Sequence, residues 1–138
     1  MDAIVRAAAI AIGLLCIYSS AICSAGTPDG TVLSKICNGV EFSSKQYDEN
    51  RRYVISQLLH NTPKVGFNYY ERSPSSDHII YGHAACKGKL SKGDCEWCLG
   101  DAVKELFRDR HECPLYTTGA QIHLQDCRLR FEVYEFDD

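Results

Sequence analysis

Cys86, Cys95 and Cys98 stand in the order C-x8-C-x2-C, inside the run CKGKLSKGDCEWC. Cys37, Cys113 and Cys127 complete a set of six. Cysteines so spaced can do three kinds of chemistry. They can close disulfides, hold a metal, or supply a nucleophilic thiolate. A zinc site would combine the C-x2-C pair with His83, His111 or His123. A nucleophile would need a free thiol beside a histidine. An even set in a short chain behind an export signal favours disulfides, because exported cysteines are usually oxidised. An even count also leaves no thiol over for catalysis. The three histidines then read as ordinary surface or part-buried residues.

The export signal is read from the N-terminus. Arg6 is a positive start, Ala7 to Tyr18 is an apolar run too short to span a bilayer, and small residues follow in SSAICSAG. Cleavage after Ala25 removes Cys16 and Cys23 and leaves six cysteines; cleavage after Ala21 leaves seven, with Cys23 unpaired. Parity favours the first. A retained N-terminal anchor is the competing reading. The expected organisation is a signal peptide over 1–25 and one domain over 26–138, the length of a single ordinary domain. No second long apolar stretch follows, so no membrane span is expected in the mature form. Asn61-Thr62-Pro63 is not an N-glycan acceptor.

The formal net charge is −3 and the pI is about 5.9. Nucleic-acid binding usually requires a basic patch, and membrane-lytic helices need a cationic face. Neither is present in the composition. The pair Arg51-Arg52, beside Asp48 and Glu49, reads as a solvated helix face.

Two helices and about five strands must position the cysteines. Tyr47, Val54, Ile55, Leu58 and Leu59 recur near helical period within Gln46 to His60, and Pro63 stops that helix. Ser91 to Asp94 reads as a capping box that opens a second helix, from about Asp94 to Arg110. Cys95, Cys98, Leu99, Ala102, Val103, Leu106 and Phe107 form its apolar face. Strands are expected over Thr31 to Cys37, Phe67 to Glu71, His78 to Ala85, Ala120 to Asp126 and Cys127 to Phe136. The expected fold class is α+β: two helices packed on a roughly five-stranded antiparallel sheet. Six cysteines allow many pairings. Cys95 and Cys98 lie three apart on one helix, where a mutual bond would be strained, so each is expected to reach elsewhere.

The cysteine pattern resembles that of the ginkbilobin-type plant cysteine-rich secretory domain, also called the stress-antifungal domain. Surrounding residues agree: Tyr81-Gly82 before Cys86, Asp94 before Cys95, Leu99 after Cys98, and Val133-Tyr134-Glu135 after Cys127. The resemblance runs from Cys37 to about Tyr134. It implies three disulfides, Cys37–Cys113, Cys86–Cys95 and Cys98–Cys127. It also implies antifungal activity and metal-independent mannose binding through an Asn, an Arg and a Glu. Here Asn38 follows the first cysteine and Glu132 lies five after the last, in the family's positions. Gln121 stands where the family has Arg.

Sugar hydroxyls both donate and accept, so a site for them needs donors and acceptors in fixed places. Asn38 and Gln121 supply amides of both kinds, and Glu132 supplies two acceptors. Gln121 cannot make a charge-assisted bond, worth roughly 1.5–3 kcal/mol. Arg128 and Arg130 are both nearby in sequence as alternative cations, and Arg130 shares a strand face with Glu132 by alternation. Ordinary roles compete: Asn38 as a turn former, Glu132 as a solvated carboxylate, and Trp97 as helix packing rather than a sugar platform. Asp137-Asp138 reads as a frayed end.

The expectation is a secreted, apoplastic plant defence protein with antifungal, lectin-like activity. It is not expected to be an enzyme or to use a cofactor. Its expected partners are mannose or mannose-bearing glycans, such as those of fungal walls. The alternative is an apoplastic protein-interaction or signalling module without sugar binding, which the Gln121 departure favours.

Overall fold

A computed structural model describes residues 27–138. The expected signal segment lies outside the described residues. Along the chain run β1 (Val32–Cys37), α1 (Lys45–Asn61), β2 (Asn68–Arg72), β3 (Tyr81–Cys86), α2 (Lys92–Leu106), β4 (Gly119–Leu124) and β5 (Cys127–Glu132). The five strands form one antiparallel sheet in the order β1-β4-β5-β3-β2. Both helices cover the same face. Helix α1 lies on β2 and β3, and α2 lies on β4 and β5. The architecture is the expected α+β fold.

Local chemistry sets the helix starts. Ser44 caps α1 by accepting from the Tyr47 N–H, and Ser91 caps α2 by accepting from the Asp94 N–H. Helix α1 stops at Thr62, just before Pro63. Helix α2 stops at Phe107, short of the expected Arg110. Asp109 ends it early, because its carboxylate accepts from the N–H groups of His111 and Glu112 and holds a turn. Strand β3 starts at Tyr81 rather than His78, whose positive φ of 52° is incompatible with a strand.

The core lies between helices and sheet. Val54 and Leu58 of α1, Leu99 and Leu106 of α2, and Leu129 and Phe131 of β5 are fully buried. Gly82 lets α1 sit close, since a Cβ there would collide with the Val54 and Leu58 side chains. Three disulfides tie the layers: Cys37–Cys113, Cys86–Cys95 and Cys98–Cys127, with Cα separations of 5.3, 5.7 and 6.2 Å. These are the pairs the resemblance implies. The two helical cysteines reach in different directions, one to the end of β3 and one to the start of β5.

Four expectations are corrected. Arg51 is not on a solvated face; it is 3% exposed. Its guanidinium pairs with Asp48 at 2.6 Å and lies 5.4 Å from the centre of the Phe107 ring, while Arg52 takes the other Asp48 oxygen from solvent. A long apolar stem lets an arginine pack where periodicity reads only its charge. His83 is 1% exposed rather than at the surface, because residues near the C-terminus lie over its strand. Trp97 is 52% exposed, so its indole is not the packing residue expected; α2 buries Cys95 and Cys98 instead. Asp138 is held in place by ion pairs described below.

Candidate functional site

The open face of the sheet is polar. Cross-strand pairing puts Ile36, Gln121, Arg130, His83 and Tyr70 in one row across all five strands. Two residues along, Gly119, Glu132 and Tyr81 form the next row. Side chains alternate along a strand, so both rows face away from the helices.

Asn38, Gln121 and Glu132 line one cleft of about 270 Å³, together with Arg130, Tyr134 and Gly119. Small-molecule clefts start at roughly 300 Å³, so the space suits a single compact polar ligand.

Each wall is held by a different device. Asn38 follows β1, and its N–H donates to the Gly119 carbonyl at 2.8 Å. Its own carbonyl accepts from the Thr117 hydroxyl at 2.5 Å, and Thr117 in turn receives the Tyr47 hydroxyl on its carbonyl. Burial pushes the Tyr47 phenol up to about 12, so it remains a donor throughout the physiological range. The Asn38 side-chain oxygen accepts from the Val40 N–H at 3.0 Å. The turn role and the cleft role therefore coexist: the oxygen shapes the turn, and the amide NH₂ is left for a ligand.

Glu132, 7% exposed, lies across Gly119. A Cβ on Gly119 would occupy the space of its carboxylate. Arg130 Nε donates to Glu132 Oε1 at 3.0 Å. Its other nitrogens donate to Asp138 Oδ1 at 2.6 Å and to the Tyr134 hydroxyl at 3.2 Å. The Phe136 ring lies 4.1 Å from the guanidinium carbon. Burial opposes the Arg130 charge, but its bonds to Asp138 and Glu132 outweigh that and raise its pKa.

Asp138 also meets His83. Nδ1 of the ring is 3.1 Å from Asp138 Oδ2, and Nε2 is 2.6 Å from the Asn68 side-chain amide. Burial lowers the His83 pKa against the pull of Asp138. Burial works against the Asp138 charge as well, yet the bonds from Arg130 and His83 hold its carboxyl below the usual range. The Asp138 side-chain carboxylate thus bridges Arg130 and His83 on the open face.

The structure brings all three site residues of the sequence reading together. Gln121 does not stand alone: its cross-strand partner is Arg130. A guanidinium therefore stands on the strand beside position 121, within bonding distance of Glu132. Alternation along Cys127–Glu132 gave the signal for Arg130. Gly119 and Tyr134 carried no comparable signal. Among the described residues, no group of three or more His, Cys, Asp or Glu side chains is arranged to hold a metal ion, and no helix is long and apolar enough to cross a membrane.

The domain is a small disulfide-tied α+β fold with amides, a guanidinium and a carboxylate around one cleft. Residues 36–134 match the family model described as salt stress response/antifungal, and the chain belongs to that family. It is 28% identical over 116 residues to antifungal protein ginkbilobin-like protein 1 of Picea glauca, covering 82% of this chain and 79% of that one. It is 29% identical over 107 residues to antifungal protein ginkbilobin-2 of Ginkgo biloba, covering 75% and 77%.

Two solved structures share the fold. The tandem DUF26 ectodomain of the Arabidopsis thaliana cysteine-rich receptor-like protein PDLP5 superposes with a TM-score of 0.66 at 19% identity, covering 77% of this chain and 51% of that one. The corresponding PDLP8 ectodomain gives 0.59 at 26%, covering 76% and 46%. The chain thus spans about half of each tandem ectodomain.

Proposed function

We propose that this is a secreted plant defence protein that binds mannose or mannose-bearing glycans without a metal and restrains fungal growth. The observation that carries the reading is Arg130. It restores a guanidinium beside Glu132 in the cleft that Asn38 and Gln121 share. Asn38 and Gln121 then donate and accept with ring hydroxyls, Glu132 accepts through its second oxygen, and the half-exposed Tyr134 ring offers an apolar surface to the sugar's C–H groups. The names of the conifer and ginkgo relatives support the antifungal part. The N-terminal apolar run and the relatives described as secretory support export.

Calorimetry with mannose and soluble mannan tests the reading. Wild type binds both, and Glu132→Ala and Arg130→Ala abolish binding without unfolding the protein. Binding that survives Glu132→Ala sinks the assignment.

A second reading is favoured by one specific observation. The Arg130 fork is already engaged by Glu132, Asp138 and Tyr134, and the solved neighbours are receptor-like ectodomains. In that case the open face serves a protein partner. Sugar binding would then be absent from wild type and from Asp138→Ala alike.

A further inference from the structure

Beyond the polar cleft, the same end of the sheet carries a second, larger hollow. Its volume is about 420 Å³, and its walls include Phe42, His78, Tyr81, Thr118 and Val133. The two hollows are lined by consecutive residues at the start of β4 and at the end of β5. Gly119 and Glu132 line the first; Thr118 and Val133, the residues next to them in the chain, line the second. One residue step, about 3.8 Å between Cα atoms, separates the two linings at each of these places.

The chemistry of the second hollow differs from that of the first. Phe42 is 41% exposed, and its ring centre lies 4.8 Å from that of His78, tilted by 48°. The Thr118 hydroxyl donates to the Val40 carbonyl at 3.1 Å, which leaves its oxygen free to accept. Tyr81 adds a third ring, stacked under Arg72 at 6.0 Å. Such a surface offers ring faces and hydroxyls but no carboxylate. It suits a neutral, hydroxylated ring with an apolar C–H face.

The hollow is also built rather than incidental. His78 sits at a φ of 52°, a left-handed conformation that costs a residue with a side chain on the order of 1 kcal/mol or more. The buried Asn50 holds it there, with its amide donating to the Asp77 and His78 carbonyls at 2.9 and 2.8 Å. A strained residue fixed by a buried clamp, with its ring turned to an open hollow, is the pattern of a pre-organised binding wall.

We propose that this aromatic hollow is a second hexose subsite, so that the protein's ligand is a glycan of at least two linked sugars rather than a monosaccharide. The inference rests on the sugar-binding reading of the Asn38–Glu132 cleft. One ring occupies that cleft, and the chain continues over the Thr118–Gly119 and Glu132–Val133 junctions onto Phe42 and His78.

Titration of the disulfide-intact protein with methyl α-mannoside and with α-linked mannobiose and mannotriose tests it. The expected result is that the oligosaccharides bind about tenfold tighter than the monosaccharide, the upper end of a single aromatic contact. Phe42→Ala brings their affinity down to that of the monosaccharide and leaves monosaccharide binding unchanged; Phe42→Tyr keeps the gain. In NMR spectra, the Phe42 and His78 ring signals shift with mannobiose and not with the monosaccharide. Equal affinity of wild type for one ring and two overturns the second subsite while the first cleft stands. A Phe42→Ala loss that is equal for all three sugars overturns it too. If wild type binds none of the three, both the cleft reading and this inference fall together.

Discussion

Leu129 and Arg130 are neighbours on β5, yet they belong to different structures. Leu129 points to the helices and is packed among Ile122, Leu99 and Phe131 in a core that excludes water. Arg130 points the other way, into a set of polar side chains drawn from β5 and from residues 134–138. The helix side is held by apolar burial and three disulfides, which are insensitive to the exact polar residues present. The open side is held by directional bonds, where removing one atom leaves another unpaired. One side is therefore tolerant and stable, and the other is specific and adjustable. Substitutions on the two sides should separate stability from recognition.

The largest effect is expected on the helix side. Phe131→Ala removes a fully buried ring and should cost about 3–5 kcal/mol in denaturant unfolding. Next, Gly119→Ala places a methyl group where the Glu132 carboxylate lies. It should cost about 1–3 kcal/mol and abolish sugar binding, because the carboxylate must leave the cleft. A Gly119→Ala protein that binds sugar normally would erase the contrast between the two sides.

Arg51 sharpens the comparison, since it is a charge on the tolerant side. Two of its guanidinium nitrogens are buried without a protein partner, and burial lowers its pKa against the pull of Asp48. Arg51→Met removes one partner of a buried pair and should destabilise, by less than the roughly 3–5 kcal/mol of a fully buried pair because Arg52 still holds Asp48, read as a shift in the unfolding midpoint.

Acidity probes the open side. His83 and Asp138 both titrate lower in the folded protein than in the unfolded chain. The unfolded chain binds more protons in both windows, so stability falls as pH falls. The first loss begins near the ordinary histidine value of 6.5, and the second begins below the ordinary aspartate value of 3.8. Thermal unfolding across this range checks it: His83→Asn should remove the upper step and keep the lower one. The smallest stability effect is expected for Asp138→Ala, at about 0–1 kcal/mol. Its effect on recognition should be larger, because it frees an Arg130 nitrogen and raises affinity for mannose.

The same contrast governs how much was legible in the sequence. Apolar periodicity located both helices within a few residues, alternation located β4 and β5, and apolar or aromatic runs bounded by turns located the other three strands, because burial leaves a trace in residue type. The Ser44 and Ser91 caps were readable as local chemistry. The cleft was legible only through the resemblance to the ginkbilobin-type domain, whose positions counted from Cys37 and Cys127 point to Asn38, Gln121 and Glu132. What escaped was interaction across distance. The burial of Arg51 depends on Phe107 of another element. The burial of His83 and the anchoring of Asp138 depend on each other, across residues 83 and 138. Gly119 matters because of the side chain opposite it in the sheet, which no local pattern records.

The strand order has a consequence for how the protein is made. Asn38 follows the first strand and Glu132 ends the last, and they meet only because β1 pairs with β4 beside β5. A chain emerging from the ribosome does not have the Asn38–Glu132 cleft until β5 has been synthesised. Oxidation runs to the same schedule, since Cys37 waits for Cys113 and Cys98 waits for Cys127. Chains terminated before β5 therefore lack both the cleft and the Cys98–Cys127 bond.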